Sequence, residues 1–283
     1  MKILIIGGTR FVGPHVIQKL KNHELTLFNR GNNPMNFEGN IRQIKGDRNE
    51  GFNISEKFDA VIDMCAYNGK HTTQVLSELQ TDYYFHFGTI ASYKKTNVFP
   101  LTEESPIGEW KMWGDYNKGK VECEEVLKNS NTKHGIIRPV FILGAANHKD
   151  REAFIYRNIL QDKEINLPGN GQAILQFVFA QDVADIIANV VENEVTGSFN
   201  VAGDEMITLQ GLVEIMADIV GKKARIKYDY ETDGLNFNEK AFPFPNEHMV
   251  CSNEKVKGLG IKFTSLVEGL RSDYDNDYKR LVK

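Results

Sequence analysis

Tyr116 and Lys120 stand four residues apart in a stretch, Tyr116–Lys128, whose apolar residues recur at three- and four-residue intervals, so a helix there presents both side chains on one face. A phenol with a pKa of about 10 is a poor acid or base at neutral pH, but an adjacent ammonium favours the phenolate and lowers that value. The pair can then relay a proton to or from an alcohol or a carbonyl. A third group follows the run Tyr83–Phe87: Thr89 sits where a hydroxyl can hydrogen-bond the reacting oxygen, with Ser92 as the alternative donor. Taken singly, a Tyr-x-x-x-Lys pair or a Thr at a strand end is more often an ordinary helix face or turn.

What raises these residues above that background is the amino terminus. Gly7-Gly8-Thr9-Arg10-Phe11-Val12-Gly13 directly follows the apolar run Lys2–Ile6 and opens a helical stretch. Gly7 and Gly8 let the backbone approach a pyrophosphate, the helix N-terminus offers free N–H groups, and Gly13 lets the helix pack closely on the strand. At the end of the second strand the chain reads Phe28-Asn29-Arg30-Gly31, with an arginine and no acid. Arg30, joined by Arg10, suits a 2′-phosphate, so NADP is expected as cofactor with NAD as the alternative. Asp47, after the third strand, is placed either to accept from an adenine amino group or simply to make a turn.

These groups need a frame. Strands are expected at Lys2–Ile6, Leu25–Phe28, Ile41–Lys45, Ala60–Asp63, Tyr83–Phe87 and Gly135–Ile137, alternating with helices near Phe11–Lys21, His71–Leu79 and Tyr116–Lys128. That alternation predicts an α/β fold, a doubly wound parallel Rossmann sheet over residues 1–145, completed by 175–202. Residues 146–174 and 203–283 are expected to form a smaller substrate-binding domain. It holds helices near Ala153–Leu160, Leu209–Val220 ending at Gly221, and one from Ser265 with a capping box in Ser265 and Glu268. Tyr228–His248 has no period and reads as loop.

Composition narrows the function. Across 283 residues, 34 Lys and Arg against 38 Asp and Glu give a net charge of −4, so nothing global attracts a polyanion. Cys65, Cys123 and Cys251 are odd in number, far apart and in no CxxC spacing, which argues against a disulfide scaffold and a zinc site; no metal is expected. With no signal-peptide pattern and no apolar run of membrane length, a cytoplasmic protein without membrane contact is expected.

Together the residues resemble the extended short-chain dehydrogenase/reductase family, its NAD-dependent epimerase/dehydratase branch. The Gly7–Gly13 turn, Thr89 ahead of Tyr93, Tyr116-x-x-x-Lys120, Ile137-Arg138-Pro139 and Phe177-Val178-Phe179-Ala180-Gln181-Asp182-Val183-Ala184 occur in the family's order over almost the whole chain. The resemblance implies a catalytic set of Thr89, Tyr116 and Lys120, the tyrosine as acid/base and the lysine also on the nicotinamide ribose. It implies cofactor contacts from the glycine turn, Asn29, Arg30, Asp47, Cys65, Ala66, Lys120 and Pro139, and a homodimer through the helices around Tyr116. The substrate it implies is a small molecule, a sugar or nucleotide-sugar-like alcohol or carbonyl, with oxidoreductase or epimerase chemistry. Within the family, the first turn and the ending Leu266–Tyr274 resemble the branch that includes chloroplast stem-loop RNA-binding proteins. The rival reading is therefore an NADP-sensing or RNA-binding protein with little catalysis.

The departures matter as well. Arg10 replaces the middle glycine of the family's turn, Ile174–Phe177 lacks the arginine that clamps a substrate pyrophosphate, and Phe242–His248 lacks a second. A nucleotide-diphosphate sugar is thereby less secure as substrate. Ile90-Ala91 stand where sugar dehydratases carry an acid pair, which disfavours that reaction. His86 reads as a satisfied core histidine, Cys65 as an unreactive neighbour of the cofactor, and Trp110 and Trp113 as cover for the core beneath a loop rather than substrate-stacking rings.

Overall fold

Lys2–Ile6 shows why the sheet is central and parallel: Ile3 and Ile5 enter one apolar core, Leu4 and Ile6 the other, and all four are at most 1% exposed. A strand buried on both faces needs helices on both sides. The computed structural model describes residues 1–33, 37 and 39–281. Its first part runs β1 (Lys2–Ile6), α1 (Val12–Lys19), β2 (Glu24–Asn29), β3 (Ile41–Lys45), β4 (Lys57–Asp63), α2 (Gly69–Glu78), β5 (Gln80–Phe87), α3 (Gly114–Lys128) and β6 (His134–Pro139). There follow β7 (Phe141–Leu143), α4 (Glu152–Leu160), β8 (Glu164–Pro168), β9 (Ile174–Phe179), α5 (Ala180–Glu192) and β10 (Gly197–Val201). The chain ends with β11 (Met206–Thr208), α6 (Leu209–Val220), β12 (Arg225–Asp229), α7 (Glu254–Lys257) and α8 (Leu266–Asn276).

Seven strands form one parallel sheet in the order β10-β6-β5-β4-β1-β2-β3. The α/β Rossmann architecture is as expected. α1 and α5 cover one face, and α2 and α3 the other. Of the 175–202 stretch only β10 joins this sheet; β9 pairs with β7 and β11 in a second sheet of three strands, and β8 and β12 form a third of two. β7 and β11 are three residues each, too short to show a period, and β12 alternates exposed and half-buried residues, its last two, Tyr228 and Asp229, falling in what reads as loop.

Two local details differ from the expectation. α1 begins at Val12 because Phe11 sits at φ 53°, outside the helical region. The capping box at Ser265 does not form; the Leu266 N–H is taken instead by the Glu205 carboxylate at 3.1 Å.

The α3 face of the sheet carries a buried ion pair. Arg138 on β6 donates to Glu124 on α3 through Nε at 3.1 Å and Nη2 at 2.5 Å, and Nη1 donates to the Tyr93 hydroxyl at 2.8 Å. Tyr93 in turn donates to Asn200 Oδ1 on β10 at 2.6 Å, so one guanidinium links three elements. Removing one partner strands the other charge. We predict that Glu124→Ala costs about 3–5 kcal/mol in urea unfolding, more than the apolar double replacement of Glu124 and Arg138; a loss below about 1 kcal/mol would show that the pair is not structural.

Candidate active site

The glycine turn leaves β1 with Gly7 at φ 88° and Gly8 at φ 74°, a region that favours residues without Cβ. Packing is equally strict: a Cβ on Gly13 would lie 2.0 Å from the Gly8 carbonyl oxygen. α1 has no side-chain cap and no acid in its first turn, so its orphan N–H groups remain available to an anion. Val12 is buried beneath the turn. Arg10 does not take the left-handed conformation; Phe11 does. The Arg10 side chain is exposed, with Nε donating to Asn33 Oδ1 at 3.1 Å, while Asn33 Nδ2 donates to the Thr9 hydroxyl at 3.0 Å. These features fit a dinucleotide pyrophosphate.

Next to the turn, Asn29 Oδ1 accepts from the Gly31 N–H and from Gln43 Nε2, each at 2.8 Å. Arg30 is exposed and lies within electrostatic reach of Asp47. Asp47 caps the turn that follows β3 by accepting from the Asn49 N–H at 2.9 Å, and this hydrogen bond holds its carboxyl below the usual range. At the end of β4, Cys65 backs the turn closely enough that a Cβ on Gly7 would meet its sulfur at 3.3 Å. Burial pushes the Cys65 thiol up to about 11, which keeps it unreactive.

Lys120 is buried under α3, its ammonium donating to the Ala66 carbonyl at 2.8 Å and the Phe87 carbonyl at 2.7 Å. Tyr116, one turn earlier, is 42% exposed, and the Thr89 hydroxyl acts on its phenol. Thr89 Oγ1 also accepts from the Ala91 N–H at 3.2 Å. The expected effect of Lys120 on the phenol is not what the structure has. Desolvation raises the Tyr116 pKa, and the cations acting against it are Arg151 and Lys149; burial meanwhile lowers that of Lys120. Tyr116 is therefore a protonated phenol at neutral pH, an acid rather than a preformed base.

Thr89, Tyr116, Lys120, Cys65, Ala66 and the glycine turn thus gather at the carboxyl ends of β1, β4 and β5. Pro139 ends β6 opposite Val201. Ser92, the alternative donor, is wholly buried, and its hydroxyl has no hydrogen-bond partner among the described residues. His86 is also wholly buried, but neither ring nitrogen has a partner among the described residues, so it is not satisfied; burial depresses its pKa and keeps it neutral. Among the described residues there is no cluster of metal-ligating side chains and no helix long and apolar enough to cross a membrane.

Three supports carry no motif. Arg48 makes a buried bidentate pair with Asp63 at 2.9 and 3.1 Å, and Asp63 also accepts from the Tyr84 hydroxyl and the Cys65 N–H, fixing the end of β4. Asn117 donates to the carbonyls of Ala91 at 2.6 Å and Gly108 at 2.8 Å, tying α3 to the Thr89 turn. Glu152 is buried behind the Gly144–Asn147 loop and accepts from the Gly144 N–H at 2.6 Å. A charge beside Gly46-Asp47 was visible for Arg48; its burial was not.

The comparisons with known proteins bear on this arrangement. The family model for the NAD dependent epimerase/dehydratase family matches residues 68–202. The chloroplast stem-loop binding protein of 41 kDa b of Arabidopsis thaliana is 30% identical over 305 residues, covering 99% of this chain and 80% of that protein. Among solved structures, UDP-glucuronic acid 4-epimerase from Bacillus cereus in complex with NAD superposes with a TM-score of 0.80 at 19% identity over 100% of both chains. UDP-N-acetylglucosamine 4-epimerase from Methanobrevibacter ruminantium superposes with a TM-score of 0.81 at 18% identity over 97% of each.

Burial pushes the Glu152 carboxyl from 4.5 up to about 7. An acid whose folded pKa is raised stabilises the fold while protonated, below the unfolded value, and that contribution is lost as pH rises through the folded value. Unfolding free energy is expected to fall by roughly 3 kcal/mol between about pH 4.5 and 7, and Glu152→Gln to flatten the decline. Urea titrations across that window measure it; an unchanged slope in Glu152→Gln would assign the dependence elsewhere.

Proposed function

The chain belongs to the NAD-dependent epimerase/dehydratase family, and from that premise we propose that it is an NAD(P)-dependent oxidoreductase or epimerase acting on an alcohol or carbonyl of a sugar-like small molecule. The observation that carries this reading is the gathering of Thr89, Tyr116 and the buried Lys120 ammonium beside an uncapped glycine turn. In a pure binder, burying a lysine against two carbonyls beneath an exposed tyrosine would have no purpose at that place. A bound nicotinamide would supply the hydride acceptor or donor at its C4 atom. Gly7, Gly8 and the first turn of α1 would hold its pyrophosphate, with Cys65 and Ala66 as the floor. Arg30, exposed at the end of β2, favours NADP; the Bacillus cereus epimerase was solved with NAD, so both nucleotides are to be compared.

Within that arrangement Tyr116 gives its proton to a carbonyl oxygen during reduction and recovers it in the reverse direction. Thr89 orients that oxygen through its hydroxyl, and Lys120, fixed by Ala66 and Phe87, sets the positive potential at the ribose side of the cleft. Protonated Tyr116 is ready for reduction without prior deprotonation. Oxidation would need a lower phenol pKa, which Arg151 and Lys149 favour.

A second reading rests on a different observation, the 30% identity to a chloroplast stem-loop binding protein. On that reading the fold serves RNA binding and the net charge of −4 must hide a local basic surface.

Calorimetric titration with NADPH and NADH is expected to give binding of at least one nucleotide, tighter for NADPH. Tyr116→Phe should keep that affinity and lose 10²–10⁴-fold in turnover of a carbonyl substrate, on the order of a lost general acid. Binding of neither nucleotide, or full activity in Tyr116→Phe, would reject the enzyme reading. For the second reading, filter binding of a stem-loop RNA at low and physiological salt is the check: phosphate-driven binding must weaken steeply with salt, and no binding at low salt removes it.

A further inference from the structure

Beside Tyr116, two hydrogen-bond donors are buried with no acceptor among the described residues: the indole Nε1 of Trp113 and Nε of Arg151. Buried donors are rarely left without a partner, and two at one place point to an acceptor from outside the chain. Both converge on Phe141. The Arg151 guanidinium carbon lies 5.0 Å from the centre of that ring, and the Trp113 ring lies 6.2 Å from it. Phe237 stands edge-on to Trp113 at 6.2 Å.

Arg151 is committed to the protein only in part. Its Nη1 donates to the Ile142 carbonyl at 3.2 Å, and among the described residues it has no ion pair. The neighbouring Lys149, by contrast, is exposed and paired with Glu239 at 2.9 Å. Glu152, next in sequence to Arg151, spends its oxygens on the Gly144 N–H and on Asn147 Nδ2. The carboxylates of Glu152 and Glu239 act on Arg151 through space without a direct ion pair, and Arg151 in turn acts electrostatically on Tyr116, which puts it within reach of the proposed acid. A planar cation over the Phe141 ring, with a second N–H donor on a ring packed against the same phenylalanine, matches a ligand of sugar size that carries an anionic oxygen group.

We propose that Arg151 and Trp113 form a substrate subsite on the Phe141 ring, Arg151 taking a carboxylate or phosphate and Trp113 a neighbouring oxygen of the same molecule. The substrate is thereby an acidic sugar rather than a neutral one. This rests on the reading of Tyr116 as the acid of the cleft. It also assigns a site to negative charge in a chain that lacks arginines at Ile174–Phe177 and Phe242–His248.

The chain has only Trp110 and Trp113, so ¹H–¹⁵N spectra show two indole signals, and Trp110→Phe assigns them. Inorganic phosphate, glucuronate and glucose are titrated into the full-length protein, with and without NAD or NADP. At least one of the two anions is expected to move the Trp113 signal saturably, at least tenfold more tightly than glucose, while Trp110 stays in place. The comparison of phosphate with glucuronate tells which anionic group is preferred. Arg151→Gln should weaken the anion response at least tenfold, and Arg151→Lys should retain part of it; an unmoved Trp110 signal reports that each variant is folded. No Trp113 response to either anion, an equal response to glucose, or an undiminished response in Arg151→Gln would overturn the subsite. Cofactor binding on the same samples separates the two claims. Nucleotide bound without an anion response leaves the enzyme reading and removes the subsite, whereas an anion response without any nucleotide binding does the reverse.

Discussion

The cleft depends on the ammonium of Lys120 being buried. A buried cation must find acceptors, and here they are the carbonyls of Ala66 and Phe87, the first following β4 and the second ending the neighbouring β5. Those two contacts fix the height of α3 above the sheet, and with it the position of Tyr116 one turn earlier. Asn117 repeats the device on the next residue by binding two further carbonyls, one in the turn that carries Thr89. The geometry of the candidate acid is thus set by side chains reaching backbone atoms, which move only if the sheet moves.

A second layer of buried polar groups holds the strand ends themselves. Arg48 and Asp63, with Tyr84, lock the end of β4, and Arg138 and Glu124, with Tyr93 and Asn200, lock β6 to α3 and β10. Ion pairs of this kind are weak sources of stability compared with apolar packing, because desolvation offsets most of the attraction. Their worth here lies in direction: each guanidinium fixes orientation in a plane, where an apolar contact would tolerate sliding.

The parallel sheet was legible because β1, β2 and β4 carry their burial in their own composition, and the glycine turn because its φ angles and the Gly13–Gly8 approach admit few other residues. Tyr116 and Lys120 were legible as a pair from spacing, but the sign of their interaction was not. Spacing places two side chains on one face without saying how much water remains around each, and desolvation decides the phenol pKa. Arg48, Glu152 and Arg151 were hidden for a related reason, since charged residues ordinarily read as surface and only tertiary packing buries them. The short strands β7 and β11 are held by neighbours rather than by any pattern of their own, which is why the second sheet could not be read from the chain.

One junction sets how the two sheets can behave together. β6 ends at Pro139 and β7 begins at Phe141, so a single residue, Val140, joins them, and its N–H is bonded to the Val201 carbonyl of β10 at 3.0 Å. Phe141, the floor between Arg151 and Trp113, therefore hangs from the main sheet with almost no slack. At this crossing a hinge between the layers has no residues in which to turn, and the slack lies in connecting segments such as residues 202–205 between β10 and β11. The selectivity of the site is accordingly a rigid property, written by the shape of the core beneath it and altered by volume changes there more readily than by changes at its rim.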